Sequence, residues 1–271
     1  MHKINRRGVL ASLGMIGGSA VVSGCGAPAD GVLVAAGQAT PSQPAPSQPA
    51  PEAAAPWSYL RLDPDAVART AYRIFPEGLC MYAVVGSVMT ELSNKVRQPY
   101  GSFPLEMMRY GAEGMGGWGT LCGVVNGAAA LVGLFRSGRH DQQREELLNE
   151  LCLWYENTAL PLYEPEVSEA GDIGASVAGS VLCHISVERW CRANHSDAFS
   201  ARRRERCRRL SADGARMVVE MLNRDAGKPW DGLDIPAGTQ SCIECHGRNT
   251  QRDTLTRMGC AICHQVDADH P

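Results

Sequence analysis

Two C-x-x-C-H motifs fall within one short stretch, CIECHGRNTQRDTLTRMGCAICH, from Cys242 to His264. No other feature of the sequence constrains the fold as much. In this pattern two thiols form thioether bonds to the vinyl groups of a c-type haem, and the next histidine becomes the proximal ligand of its iron. On that reading Cys242, Cys245 and His246 hold a first haem, and Cys260, Cys263 and His264 a second. The polar-rich residues between the motifs cannot wrap two porphyrins, so the chain before them must supply the apolar body. The four cysteines also have the spacing of a structural zinc site. Zinc, however, gives no reason for a histidine after both pairs.

The start of the chain sets its compartment. Lys3, Arg6 and Arg7 precede an uncharged run, Gly8 to Gly24, that is too short for a membrane span of about 20 apolar residues and fits an export signal. The pair Arg6-Arg7 resembles a twin-arginine signal. The sequence VSGC resembles a lipoprotein processing box with Cys25 as the lipidated residue. Residues 1–24 are therefore expected to be a signal and 25–56 a lipid-anchored spacer rich in proline and alanine, in which PSQPA occurs twice. A helical domain follows over 57–224 and a dihaem segment over 225–271. Such a chain is expected on the periplasmic side of a bacterial membrane, anchored by lipid after twin-arginine export. A formal net charge of −3, which becomes more negative once the basic signal is removed, argues against a nucleic-acid partner.

Strand signals are few and apolar-periodic segments are long, so the fold class is mostly α. Helices are expected over 63–75, with Asp63 as cap and Pro64 at the first position, over 76–95 from Pro76, and over 120–135, 141–159, 174–194 and 200–223, the last starting at Ser200. The segment 120–135 is apolar nearly all round and reads as a central helix. Gly123 and Gly127 there permit close approach of its neighbours.

Of 11 cysteines, lipidation and the haems account for five. An exported chain would by default pair the rest in disulfides, but twin-arginine export carries folded, cofactor-loaded proteins. Cys80, Cys122, Cys183 and Cys191 could supply the four thiolates of an Fe–S cluster, or could simply be small buried hydrophobes. Cys183 and Cys191 lie two turns apart on one side of a predicted helix. Each haem iron also needs a sixth ligand. His184 ranks first, then His195, three turns along the same predicted helix, then His270. Met258 is a runner-up, and His140 lies in a polar loop. Six arginines stand in RRRERCRR, 202–209. They form either a solvated helix face or partners for haem propionates or an acidic redox protein.

The segments GLCMYAVVGSVMTEL, YGAEGMGGWGTLCGVVNGAAALVGL and SVLCHISVERWC resemble, in order, the redox-active family named for its C, GCAxxG, C, C cysteines. The glycine-rich approach to Cys122 is the most specific part. The middle motif departs from the family name, with Leu121-Cys122-Gly123 and Asn126-Gly127. That domain, followed by paired haem motifs, resembles the split-Soret cytochromes c across most of 70–270. The resemblance implies a dihaem homodimer with haems gathered near the interface, bis-histidine ligation with one ligand crossing from the partner, and an Fe–S site at Cys80, Cys122, Cys183 and Cys191. The expected function is single-electron transfer with two haem c groups, to a redox partner protein or quinone-linked donor that the sequence does not identify. The competing readings are a haem-dependent reductase of a small anion and a zinc-binding structural module. No catalytic triad, Walker-type loop or dinucleotide fingerprint is visible.

Overall fold

Asp63 starts the first helix as the sequence suggests. Its side chain accepts the backbone N–H of Asp65 at 2.9 Å, and Pro64 occupies the first turn, where its missing N–H costs nothing. In the computed structural model, residues 57–136, 141–167, 170–224, 235, 237–247, 249–250 and 252–265 are described. Cys25, His140, His270, the signal and the spacer lie outside them.

Helix α1 runs Pro64–Lys95, where two helices were expected. It is broken not at Pro76 but at Leu79, which has φ 65° and ψ −158°. The chain bends there, three residues beyond the proline. Short 3-10 turns at Tyr100–Ser102 and Leu105–Gly111 follow. Helix α2 is Gly123–Phe135, α3 Asp141–Asn157, α4 Cys183–Ala193, α5 Ala201–Asn223 and α6 Ala237–His246. A 3-10 turn at Cys260–Ile262 follows α6, and a two-stranded antiparallel pair, Ala159–Leu160 with Ser176–Val177, follows α3.

The expected helix 174–194 is only half helical. Gly174 and Gly179 have φ of 70° and 66°, outside the helical region, Ser176–Val177 form a short strand, and the helix begins only at Cys183. Ser200 caps α5, its Oγ accepting from the Arg203 N–H at 3.0 Å.

α1 and α5 form the main packing pair, with α2 laid across both. Val84, Val88, Leu131, Val132, Val218 and Leu222 lie in this core. The small residues of α2 set its depth. A Cβ on Gly127 would stand 3.2 Å from the carbonyl oxygen of Met81. A Cβ on Gly123 would collide with the carbonyl oxygen of Gly111 and stand 2.9 Å from Cys80 Sγ. Among the described residues no helix is long and apolar enough to cross a membrane. Gly123→Ala should therefore destabilise the domain by about 1–3 kcal/mol through overpacking. Denaturant unfolding reads this, and an unchanged midpoint would mean that α2 can back away freely.

Candidate functional site

An antiparallel bridge between Leu121 and Leu182 holds two segments side by side. The Cys122 N–H donates to Val181 O at 2.9 Å, and the Cys183 N–H to Thr120 O at 2.7 Å. Cys122 is the residue before α2 and Cys183 the first residue of α4. The bridge thus brings two thiols together at two helix N-termini, where the backbone dipoles favour negative charge. Cys80 reaches them from α1, one residue past the break at Leu79. Cys207 reaches them from the second turn of α5.

These four cysteines line one cavity of about 210 Å³. The glycine-rich loop before Cys122 closes one side. Gly114 has φ 68°, and a Cβ there would come 2.8 Å from Cys183 Cβ. Neither that backbone nor that approach suits a larger residue. Leu79, Phe75, Val187 and Leu210 give the cavity apolar walls, and Arg203 and Arg206 supply charge.

Burial pushes the Cys183 thiol up to about 12, with neighbouring Cys122 and Cys207 adding to the effect. Burial likewise raises Cys80 far above the ordinary thiol range and raises Cys122. As free thiols these three are protonated at neutral pH. None of the described cysteines forms a disulfide, contrary to the default for an exported chain. Among the described residues no three His, Cys, Asp or Glu side chains gather closely enough to hold a single ion. The thiols surround a space instead of converging on a point, and soft sulfur donors from four elements around such a space fit an iron cluster.

The quartet differs from the one expected in a single member. Cys191 lies away from the cavity, packed with Ile173 and Trp190. Eight residues of helix separate it from Cys183 by roughly 12 Å, too far for both to face one small site. Cys207 takes the place instead, on an antiparallel helix whose position no local spacing reveals. Its one signal in the sequence is a cysteine set within a run of arginines.

His184 lines the same cavity, and its Nδ1 lies 2.8 Å from Gly119 O. A carbonyl only accepts, so Nδ1 donates in this contact and, in the neutral ring, Nε2 is the nitrogen that could bind a metal. His195 does not share a helix face with it. α4 ends at Ala193, and His195 sits beyond it at φ 50°, exposed.

The two haem-type motifs are each wound into a turn. Cys242, Cys245 and His246 occupy one side of α6. His264 N–H donates to Cys260 O at 3.0 Å, and Cys263 N–H to the same oxygen at 3.2 Å, so the second triplet is coiled likewise. His246 Nδ1 lies 3.2 Å from Arg252 O, which orients the ring. Cys242 and Cys260 are side-chain neighbours, so the two attachment points adjoin. Donor type and spacing in both turns fit covalent haem. Met258 packs its side chain against the helical core, which leaves it poorly placed as a haem ligand.

The segment docks on the helical domain at one place. A Cβ on Gly179 would meet Ile262, and one on Gly259 would stand 3.4 Å from Gly179 O. Gly179 N–H donates to the carbonyl of Glu156 at 2.7 Å. The Glu156 carboxyl is buried at this junction, facing the backbone N–H groups of Gly259 and Val181, and its Oε1 has no partner.

Comparison with known proteins follows the same division. Residues 80–221 match the family described as "Putative redox-active protein (C_GCAxxG_C_C)". A split-Soret cytochrome c of Desulfovibrio desulfuricans is 35% identical over 275 aligned positions, 98% of this chain and 96% of that protein. A solved structure of the split-Soret cytochrome c from the same species, reported for a novel iron centre, matches with a TM-score of 0.71. It covers 79% of this chain and 95% of that one.

Burial lifts the Glu156 carboxyl to about 7, partly opposed by the two backbone N–H groups. The unfolded chain ionises near the ordinary value of about 4.3. Stability from this group is present below that value and is lost as pH rises through about 7. Glu156→Gln should therefore gain in melting temperature relative to the parent between about pH 4.5 and 7.5, and hold the gain above that range. Melting curves of both proteins across this range provide the check; a pH-independent difference would refute the shift.

Proposed function

The chain belongs to the split-Soret cytochrome c family of electron-transfer redox proteins, and on that premise we propose that it is an exported dihaem cytochrome passing single electrons between its haems and an Fe–S centre. Cys242 and Cys245 would bind the first haem covalently and Cys260 and Cys263 the second, with His246 and His264 as proximal ligands. Cys80, Cys122, Cys183 and Cys207 would hold the iron centre. The haems supply one-electron chemistry at iron. The protein's own part is to fix the ligand histidines, exclude water from the thiols and hold the two sites close.

One observation carries this reading. The haem segment rests on Gly179, and only four residues later Cys183 enters the thiol cavity. Extended chain covers at most about 14 Å in four residues, so the two sites are joined by a short, directly bonded path through protein.

Further parts of the proposal rest on sequence and exposure. Cys245, Cys263 and His264 are exposed, and Leu255 between the motifs is 92% exposed. Haems attached there need cover that these residues do not provide, which supports a homodimer with haems near its interface. His184 is the leading candidate for a sixth ligand, ahead of His195 and His270. Arg6-Arg7 and Cys25 support twin-arginine export and a lipid anchor on the periplasmic side. The redox partner would be a protein or a quinone-linked donor.

Iron quantification with EPR of oxidised and dithionite-reduced protein tests the whole reading. Two low-spin haems and additional non-haem iron are expected per chain, and a preparation from a haem-attachment-competent host without a Soret band would end it. Cys207→Ser should lose the non-haem iron, whereas Cys191→Ser should retain it. The reverse pattern would restore the quartet expected from sequence spacing.

A further inference from the structure

Most arginines of the run 202–209 have ordinary partners. Arg202 donates to Asn194 O at 2.6 Å, Arg203 pairs with Glu113 at 3.5 Å, and Arg209 pairs with Glu205 at 2.9 Å. Arg206 is different. It is 2% exposed, and among the described residues no carboxylate pairs with it. Its Nη2 donates to Ser186 Oγ at 2.6 Å, its Nη1 lies 3.9 Å from Cys207 Sγ, and its Nε has no partner. Ser186 Oγ also receives the Tyr155 hydroxyl at 2.8 Å, and Tyr155 in turn lies against Cys122. Asp213, further along α5, accepts the Leu162 N–H at 2.8 Å and feels the charge of Arg216 and, more weakly, that of Arg206, but forms no ion pair with Arg206.

A guanidinium does not shed its proton to escape burial, and an unpaired buried charge is strongly unfavourable. Neutral thiols, a hydroxyl and a phenol do not offset it. The groups that act on Arg206 most strongly are Cys207, Tyr155 and Cys122. Two of these are members of the thiol quartet. Four thiolates around ferric or ferrous iron, with or without bridging sulfide, leave the assembly net negative. The side of the cavity formed by Arg206 is therefore matched to an anionic occupant and mismatched to protonated thiols. Adding an electron makes that occupant more negative still, so a fixed cation beside it favours the reduced form.

We propose that Arg206 is the internal counter-cation of the thiol-held iron centre, and that its charge raises the centre's midpoint potential relative to the haems. The proposal rests on the assignment of iron to Cys80, Cys122, Cys183 and Cys207. In the step it governs, a ferrous haem becomes ferric and one electron enters the centre. Arg206 itself takes up no proton in that step, since a guanidinium does not titrate in this range. Arg206 is a positioning residue for charge: Ser186 and Tyr155 hold its fork in place, and the thiols receive its field.

The test uses the haem-loaded full chain. EPR-monitored redox titration reads the iron centre, and visible spectra read the haems. Arg206→Gln should lower the reduced-to-oxidised ratio of the centre at fixed ambient potential tenfold or more, which for one electron is about 59 mV, and leave the haem midpoints in place. Arg206→Lys keeps the charge and should keep most of the potential. Ser186→Asp sets a carboxylate against the guanidinium and should shift the centre in the same direction as Arg206→Gln, so the question is answered even if that variant fails to accumulate. An unchanged centre potential in Arg206→Gln or Ser186→Asp overturns the proposal. So does an equal shift in Arg206→Lys and Arg206→Gln, or a failure of all three variants to fold, which would make Arg206 a structural strut. A parent protein whose iron is all in haem defeats the underlying assignment, a result visible before any variant is made.

Discussion

Two backbone hydrogen bonds, Cys122 N–H to Val181 O and Cys183 N–H to Thr120 O, hold the functional part of this molecule together. They join chain segments about sixty residues apart and fix which residues open α2 and α4. Both helices consequently begin beside the same cavity with a cysteine at or next to the first position, and both turn the positive end of their dipole toward it. The extended strand that makes this bridge is also the one on which the haem segment rests, at Gly179. Without the bridge, the thiol cavity would lose two of its walls and its path to the haem motifs.

The cavity is a compromise between burial and charge. Its apolar walls and the close approach of α2 drive the thiols up in pKa, which by itself would make them inert. The helix N-termini, Arg203 and Arg206 act in the opposite direction. Such a balance leaves the sulfurs protected from solvent yet able to become anionic when iron binds. It also accounts for a buried arginine that, unlike buried Arg209, has no carboxylate within ion-pair distance among the described residues. Arg206 belongs to a run that reads as a solvated stripe, and the rotation of α5 turns it and Arg209 inward, Arg209 onto Glu205 and Arg206 onto the thiols.

Much of the fold could be read from residue patterns. Asp63-Pro64, Ser200 and the small-residue stretch of α2 each act through local chemistry, and each element appears where that chemistry places it. The errors arise where distant contacts prevail. The segment 174–182 has helical periodicity, but Gly174 and Gly179 and the pairing with 121 and 159–160 hold it extended. Proline at 76 suggests a new helix, yet the break is delayed to Leu79. At the site, Cys80, Cys122 and Cys183 were accessible through motif resemblance. Cys207 was not, because its place at the cavity depends on α5 packing antiparallel to α1, whereas Cys191, which helical spacing groups with Cys183, lies outside that cavity.

The C-terminal segment raises a different question of cohesion. Its contacts with the helical domain run through Met258, Gly259 and Ile262, while Leu255 and the second cysteine of each motif face solvent. So small an apolar area contributes little to holding α6 and the turn at Cys260–Ile262 in register. Four thioether bonds and two proximal ligands would contribute far more, because each haem would tie its own turn closed, and the adjoining Cys242 and Cys260 would set the two macrocycles side by side. On the proposed assignment, haem attachment would fix the segment's order, and the apolar faces of the haems would need cover that the segment itself does not supply. The helical domain, complete in its own core, would be the platform on which that attachment takes place.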